Sequence, residues 1–208
     1  MKKTYRILPV YTGDVSGAAS ALYELGGMTV IHDPSGCNST YNTHDEVRWF
    51  DQESLIYISG LNDIDAITGN DDKFIKDICY AADKMKPLFI ALANSPLPYL
   101  NGTDFKGICK VLEEKTGLPC FYVNTNAMHD YSKGQSEAFF SFAKRMLKAS
   151  DKKVKNGVNI IGMTPLDFTS TDIYISCGHE IVSNWALNTS FENMMKAAEA
   201  ELNVAVSS

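Results

Sequence analysis

Residues 28–37 read Met28-Thr29-Val30-Ile31-His32-Asp33-Pro34-Ser35-Gly36-Cys37 and decide the fold. The first four are apolar or β-branched, which is typical of a strand buried inside a parallel sheet. Proline and glycine then break the chain, so Cys37 is predicted to lie on a loop at the carboxyl end of that strand. Open α/β sheets bind their ligands at this edge. The thiol can ligate a metal or an iron–sulfur cluster, or it can be a small buried hydrophobic side chain.

Strands and helices alternate along the rest of the first 150 residues. The predicted strands are Met28–His32, Leu55–Ser59, Leu88–Ala93 and Cys120–Asn124. Amphipathic helices are predicted between them, over Asp71–Lys84, Asp104–Lys115 and Ser132–Lys148, with a further candidate at Asn38–Asp51. A long loop is expected after the third strand, because Pro96, Pro98 and Gly102 follow it. This pattern predicts an α/β fold in which a Rossmann-like parallel sheet is flanked by helices on both faces.

A polar linker at about Ser150–Gly157 separates this unit from a second series of strands. The second series comprises predicted strands at Val158–Gly162, Glu180–Ser183 and Leu202–Val206, with a helix over Phe191–Glu201. We therefore expect a first Rossmann-like domain at residues 1–150 and the start of a second at residues 151–208. The last strand has no following helix to cover its face, so we expect the N-terminal part of a longer protein.

Composition limits the classes of function. A hydrophobic content of 45% is sufficient for a packed core, and a formal charge of −6 without a local basic cluster argues against nucleic acid as a partner. The sequence contains no sustained apolar segment, so neither a signal peptide nor a membrane span is expected. The cysteines form no C-x-x-C pair, which is typical of reduced thiols in a cytoplasmic protein. Three of them are expected in the core: Cys79, Cys109 and Cys120.

Several blocks of sequence, taken together, resemble nitrogenase component 1 and its relatives. The blocks are Val30 to Cys37, Thr68 to Lys73, Asn94 to Pro96, Asn101 to Asp104, Val158 to Gly162, and Leu202 to Val204. The resemblance begins near Tyr11 and extends to the last residue, as an N-terminal portion of a family subunit. It implies Rossmann-like domains and an oxidoreductase subunit. It also implies a partner, an ATP-hydrolysing, nitrogenase-reductase-like iron–sulfur protein that supplies electrons.

The same resemblance implies an iron–sulfur cluster. Family subunits hold it with three cysteines of the first domain, of which Cys37 matches the middle one. Tyr11 and Ser95 match the other two by spacing, and neither is a thiolate, the usual ligand of such clusters. We therefore expect a cluster of the [4Fe–4S] type shared between two subunits, identical or related, each contributing Cys37.

Other polar side chains near Cys37 are further candidate ligands or, alternatively, satisfied polar loop residues: His32, Asp33, Tyr41, His44 and Asp45. The hydroxyl of Ser95 can ligate iron or can hydrogen-bond the backbone of its loop.

A second departure concerns nitrogenase proper, which anchors its iron–molybdenum cofactor with a cysteine after the strand that corresponds to Leu202–Val206. Ser207 stands at the matching position, so no iron–molybdenum cofactor is expected and the substrate is unknown. Two alternatives to an electron-accepting subunit stay open. One is a non-catalytic scaffold for metallocofactor assembly, and the other is a metal-free α/β module that binds a small molecule. The fold does not choose among these three functions.

Overall fold

The computed structural model describes residues 13–34, 46–50, 52–53, 55–165 and 178–206, except for the side chains of Val47 and Phe50. The helices of this part are Gly13–Leu22 (α1), Asp63–Thr68 (α2), Asp71–Met85 (α3), Pro96–Asn101 (α4), Phe105–Thr116 (α5), Tyr131–Met146 (α6) and Phe191–Met195 (α7). Its strands are Met28–His32 (β1), Ile56–Ile58 (β2), Ile90–Asn94 (β3), Cys120–Val123 (β4), Gly157–Ile161 (β5), Glu180–Trp185 (β6) and Leu202–Ala205 (β7).

The first sheet contains four parallel strands in the order β2-β1-β3-β4. Every residue of β1 and β3 is buried, as the apolar run at the start of the quoted stretch predicts. The prediction for β1 is confirmed at both ends, and the other three strands are confirmed with ends shifted by one or two residues. The α/β fold class predicted from the sequence is therefore confirmed.

Helices cover both faces of the first sheet. On one face, α1 and α6 pack over side chains such as Ala91 and Val123. On the other, α3 and α5 pack over side chains such as Val30 and Leu92. Successive strand residues such as Ala91 and Leu92 thus pack into the cores on opposite faces of the sheet, because side chains alternate across a sheet. The predicted helices correspond to α3, α5 and α6, and each begins after a capping side chain: Asn70, Asp104 and Asp130.

The prediction of a long loop after β3 is wrong, because residues Pro96–Asn101 form the short helix α4. Proline is compatible with the first turn of a helix, where its missing N–H needs no partner, and Gly102 ends the helix with a φ of 68°. The helix α2 has no counterpart in the sequence prediction, although Asn62 caps it through a hydrogen bond from the Asp65 N–H. Of the candidate helix at Asn38–Asp51, the described part is a 3-10 turn at Val47–Phe50.

The second sheet contains three parallel strands in the order β6-β5-β7. The predicted helix over Phe191–Glu201 is shorter than expected, since α7 ends at Met195 and a separate 3-10 turn follows at Ala197–Glu199. Trp185 at the end of β6 packs edge-on against Phe139 of α6, with ring centroids 5.2 Å apart. The two sheets therefore share a core beside α6. No helix among the described residues is long and apolar enough to cross a membrane.

Candidate functional site

The carboxyl ends of β1 and β3 lie at the centre of the first sheet, where the strand order reverses. The chain passes from β1 to its neighbour on one side and from β3 to its neighbour on the other. At such a point of an open α/β sheet the connections diverge, and ligands bind in the crevice between the strand ends. His32 and Asn94 are aligned in register at this edge, and Asp33 and Ser95 follow them.

Cys37 lies outside the described residues, as do four other candidate ligands: Tyr11, Tyr41, His44 and Asp45. The structure describes the residues on both sides of segment 35–45. Before it, the Asp33 N–H donates to the Ser59 hydroxyl at 3.1 Å, and the Asp33 carbonyl accepts from the Leu61 N–H at 2.9 Å. After it, Glu46 is buried. The described residues that flank the Cys37 segment are thus fixed by hydrogen bonds before it and by burial after it.

His32 is buried at the end of β1, and its Nδ1 lies 2.8 Å from the Ser59 hydroxyl. Its ring stacks on Phe74 of α3, with centroids 4.0 Å apart, and meets the edge of Phe105 of α5. Burial lowers the pKa of His32 to about 4, against a smaller opposing effect of Asp33 and Asp65. The imidazole is therefore neutral at neutral pH, and packing and the serine contact fix its orientation.

Ser95 follows β3 and is completely buried. Its hydroxyl donates a 2.7 Å hydrogen bond to the His32 carbonyl, so the ends of β1 and β3 are joined by a side chain as well as by the ladder. Of the two roles that the sequence left open for this hydroxyl, the structure contains the backbone hydrogen bond. Asn94, one residue earlier, has a buried amide oxygen without a hydrogen-bond partner in the described part of the chain.

The described cysteines lie away from this edge. Cys79 is on α3, Cys109 is on α5, and Cys120 begins β4 and so lies at the opposite, amino-terminal edge of the sheet. The sequence prediction that Cys109 and Cys120 are core residues is confirmed, whereas Cys79 is half-buried. Within the described ranges, no three His, Cys, Asp or Glu side chains are grouped so that they could hold a metal ion. These ranges therefore supply no thiolate to the crevice.

An ion network that the sequence analysis missed surrounds Arg48. Its guanidinium contacts Glu46 at 2.7 Å and Glu24 at 2.8 Å, and all three side chains are buried. It also donates to the Ser20 carbonyl of α1 at 2.8 Å and to the Ala186 carbonyl, just after β6, at 2.6 Å. The only signal in the sequence is the short spacing of Glu46 and Arg48, which does not indicate burial.

This network connects three parts of the molecule. Glu46 and Arg48 follow the segment that carries Cys37. Ser20 lies on α1 and Glu24 just after it, whereas Ala186 follows β6 of the second sheet. Glu24 also accepts the Thr189 N–H at 2.7 Å, and the Tyr23 ring lies 4.5 Å below the guanidinium. Buried charges need such complete pairing to be tolerated. The network therefore fixes Glu46 and Arg48, which follow the Cys37 segment, against two packed elements.

Apolar side chains are exposed beside the same edge of the sheet. Ile64 and Ile67 on α2 are 72% and 84% exposed, and Leu100 on α4 is 74% exposed. The Asn101 side chain donates to the Ala66 carbonyl at 2.6 Å and so holds the two helices together. We call this surface the α2–α4 patch; its members are Ile64, Ile67, Leu97, Tyr99 and Leu100. Clustered apolar side chains on a surface commonly mark a site of protein association.

Three comparisons place this geometry among known proteins. The family model "Nitrogenase component 1 type Oxidoreductase" matches residues 14–208. A solved structure of nitrogenase Cp1 at pH 5 is similar with a TM-score of 0.74 and 15% sequence identity, over 99% of this chain and 44% of that one. A structure of nitrogenase Cp1 at pH 6.5 has a TM-score of 0.73 and 15% identity, over 99% and 43% of the two chains. The chain thus spans less than half the length of these structures, and no curated protein matches it.

Proposed function

This chain belongs to the nitrogenase component 1 type oxidoreductase family, and from that premise we propose an electron-accepting subunit that holds an iron–sulfur cluster through Cys37. The family and the fold support an oxidoreductase-type subunit. The observation that carries the finer proposal is the placement of the described residues that flank the Cys37 segment. Asp33 follows β1 at the carboxyl edge of the first sheet, and Glu46 belongs to the buried Arg48 network.

The cluster requires more than this part of the chain. Iron–sulfur clusters are held chiefly by thiolates, usually four. His32 is engaged with Ser59 and two aromatic rings, and the Ser95 hydroxyl is engaged with the His32 carbonyl. No described thiolate lies at the crevice, and we assign to each subunit one thiolate ligand, Cys37. We therefore propose a cluster of the [4Fe–4S] type shared across a homodimer, or with a related second subunit, each supplying one Cys37.

The α2–α4 patch suits the partner that this function needs. An ATP-hydrolysing, nitrogenase-reductase-like iron–sulfur protein must approach the carboxyl edge of the first sheet to pass electrons to a cluster there. Ile67 and Leu100 project from that edge and bury apolar surface only when another molecule covers them. We propose this patch as the docking surface, in a cytoplasmic complex without an iron–molybdenum cofactor.

Anaerobic reconstitution of the purified chain with iron and sulfide tests the cluster. We expect wild type to gain iron and visible charge-transfer absorption, and Cys37→Ser to lose both. Cys79→Ser is the matched control, because Cys79 is half-buried on α3, away from the crevice, and its loss should leave iron uptake unchanged. Equal iron in wild type and Cys37→Ser would remove the cluster role and favour the metal-free binding module.

Electron uptake separates a redox subunit from an assembly scaffold. The cluster-loaded protein is mixed with a purified ATP-dependent nitrogenase-type reductase, and its paramagnetic signal is followed with and without ATP. We expect reduction that needs ATP and that Ile67→Asp with Leu100→Asp slows at least tenfold. A cluster that transfers to an apo-acceptor but is never reduced would instead identify a scaffold.

A further inference from the structure

A groove runs beside β4, the edge strand of the first sheet, between α5 and α6. Its volume is about 680 Å³, and two cysteines, Cys109 of α5 and Cys120 of β4, contribute to its lining. Basic side chains surround them, among them Lys106, Lys110 and Arg145. The groove follows β4, the neighbour of β3, from Cys120 to Asn124, and takes no part in the function proposed above.

The two cysteines are brought together by Glu113. This residue lies one helical turn after Cys109, on the same side of α5. Its carboxylate accepts the Cys120 N–H at 2.8 Å and the guanidinium of Arg145 at 2.6 Å. The start of β4 is therefore fixed against the helix turn that carries Cys109, and both cysteines belong to one buried cluster of side chains.

The two thiols line the same groove and belong to the same buried cluster. The neighbouring Cys109 thiol, and then burial, raise the pKa of Cys120 above its usual range. Cys109 is 7% exposed and Cys120 is 4% exposed, so only small molecules that enter the groove can reach the sulfur atoms. The arrangement combines two adjacent reduced thiols, a fixed backbone around them and a narrow access route.

We propose that Cys109 and Cys120 form a redox pair, which a peroxide converts into an intramolecular disulfide that joins α5 to β4. Cys109 reacts first, as the thiolate, because its side chain is the more exposed of the two to the groove, at 7% against 4%. Its Sγ attacks one peroxide oxygen, the O–O bond breaks, and the departing hydroxide takes up a proton to become water.

The second step closes the disulfide. Cys120 gives up its proton, and its Sγ attacks the Sγ of the Cys109 sulfenic acid. The S–O bond breaks, and hydroxide leaves and is protonated to a second water. The two thiols lose two electrons and two protons in total, and one peroxide is reduced to two waters. Because the neighbouring Cys109 thiol is the first cause of the raised pKa of Cys120, its oxidation removes that obstacle.

Burial selects the oxidant. Hydrogen peroxide is small and uncharged and can enter the groove, whereas a glutathione disulfide must bring a tripeptide to a sulfur atom that is more than nine-tenths buried. The pair therefore responds to peroxide in preference to the thiol–disulfide buffer. A cross-link here fixes the amino-terminal end of the edge strand β4 to the helix α5.

Peptide mapping of the peroxide-treated full chain tests the pair. The reduced protein is treated anaerobically with hydrogen peroxide, blocked with N-ethylmaleimide and digested with trypsin. We expect a disulfide between tryptic peptides 107–110 and 116–133, which contain Cys109 and Cys120. The number of thiols blocked in these two peptides should fall by two per chain, and dithiothreitol should restore both.

Matched variants distinguish this pair from general thiol oxidation. Cys79→Ser should keep the cross-link, and Cys109→Ser or Cys120→Ser should abolish it. In Cys109→Ser the Cys120 thiol should stay available to the blocking reagent once the protein is denatured, whereas in Cys120→Ser the reaction should stop at the Cys109 sulfenic acid, which dithiothreitol reduces. The proposal is overturned if Cys109 and Cys120 both remain blockable when Cys79 is already oxidised. It is also overturned if oxidised glutathione forms the bond as fast as peroxide. Neither result depends on whether Cys37 holds a cluster.

Discussion

The two faces of the first sheet are built differently. On one face, α1 has nine of its ten residues buried and packs against α6 so closely that backbone meets backbone. A Cβ added at Gly134 of α6 would lie 1.7 Å from the Asp14 carbonyl oxygen. On the other face, α3 and α5 bury one side each and leave their outer sides in solvent.

The two faces differ in the kind of atoms that surround a substituted side chain. On the α1–α6 face the neighbours are backbone atoms and fully paired charges, which have no alternative positions. On the α3–α5 face the neighbours are side chains, which can adopt other rotamers at modest cost. We therefore expect the first face to tolerate little change and the second to tolerate much. The α1–α6 face also contacts the second sheet and the end of the Cys37 segment, through Arg48.

The largest effect should come from Arg48→Met. It leaves Glu24 and Glu46 buried without their partner and removes the bonds to Ser20 and Ala186. Breaking a buried ion pair from one side costs roughly 3–5 kcal/mol, so we expect the free energy of unfolding to fall by that amount in urea titrations. Lys86→Met is the control, because its pair with Asp83 is exposed on both sides and should contribute almost nothing.

The pH dependence of stability tests the packing of His32 against α3 and α5. Its pKa of about 4 in the folded protein is below its unfolded value of 6.5. Between these values the unfolded chain binds a proton that the folded chain excludes, so stability falls as pH is lowered from about 6.5 to 4, by on the order of 3 kcal/mol. Above 6.5 both states are neutral and His32 has no effect. His32→Gln should remove this part of the pH dependence, and an unchanged slope in the variant would contradict the assignment.

Paired glycine substitutions compare the faces directly. Gly134→Ala forces α6 away from α1 because its methyl group meets the Asp14 backbone, and overpacking of this kind costs roughly 1–3 kcal/mol. Gly107→Ala on α5 meets only the Asp104 carboxylate, at 2.6 Å. This carboxylate caps the helix and has to shift, but the gain in helix propensity offsets the weakened cap. We expect a clear drop in Tm for the first and almost none for the second. Equal drops would show that the two faces are equally rigid.

The smallest effect concerns the start of α6. The Asp130 carboxylate accepts the Lys133 N–H at 2.9 Å and caps the helix. Asp130→Ala should lower the free energy of unfolding by about 1 kcal/mol, measured by denaturant titration. Asp130→Asn retains the capping oxygen and should stay close to wild type. A loss of equal size in both variants would assign the effect to charge instead of to the hydrogen bond.

Periodicity and turn residues were sufficient to predict the parallel sheet and its covering helices. The all-apolar start of β1 and the helical spacing in α3, α5 and α6 reflect burial, which local sequence records. The two short helices α2 and α4 were harder to predict from the sequence. In α4 the prolines look like loop formers, and only the chain geometry after Ser95 makes them the first turn of a helix. Capping by Asn62 at α2 is a weak signal without an amphipathic repeat behind it.

The location of the candidate site could be predicted from the sequence, whereas the contacts within it could not. The strand end at His32 follows from the sequence, because proline and glycine stop the strand there. The pairing of Ser95 with the His32 carbonyl, and of Arg48 with Ala186, joins residues that are 63 and 138 positions apart. Such contacts depend on how the sheets meet. The role of Cys37 as a ligand stays a prediction, and so does the division of the chain at residue 150.

The bond from Arg48 to the Ala186 carbonyl has a consequence for the order of folding. The Arg48 guanidinium, synthesised early, acquires its last acceptor, the Ala186 carbonyl, only when the chain has grown past β6. Glu24 likewise acquires the Thr189 N–H as a donor only then. Long-range closure of this kind slows folding, since loop entropy is lost before the contact forms. A nascent chain of about 150 residues therefore has an incompletely paired ion network around Arg48. This network is completed only after the second sheet has been synthesised.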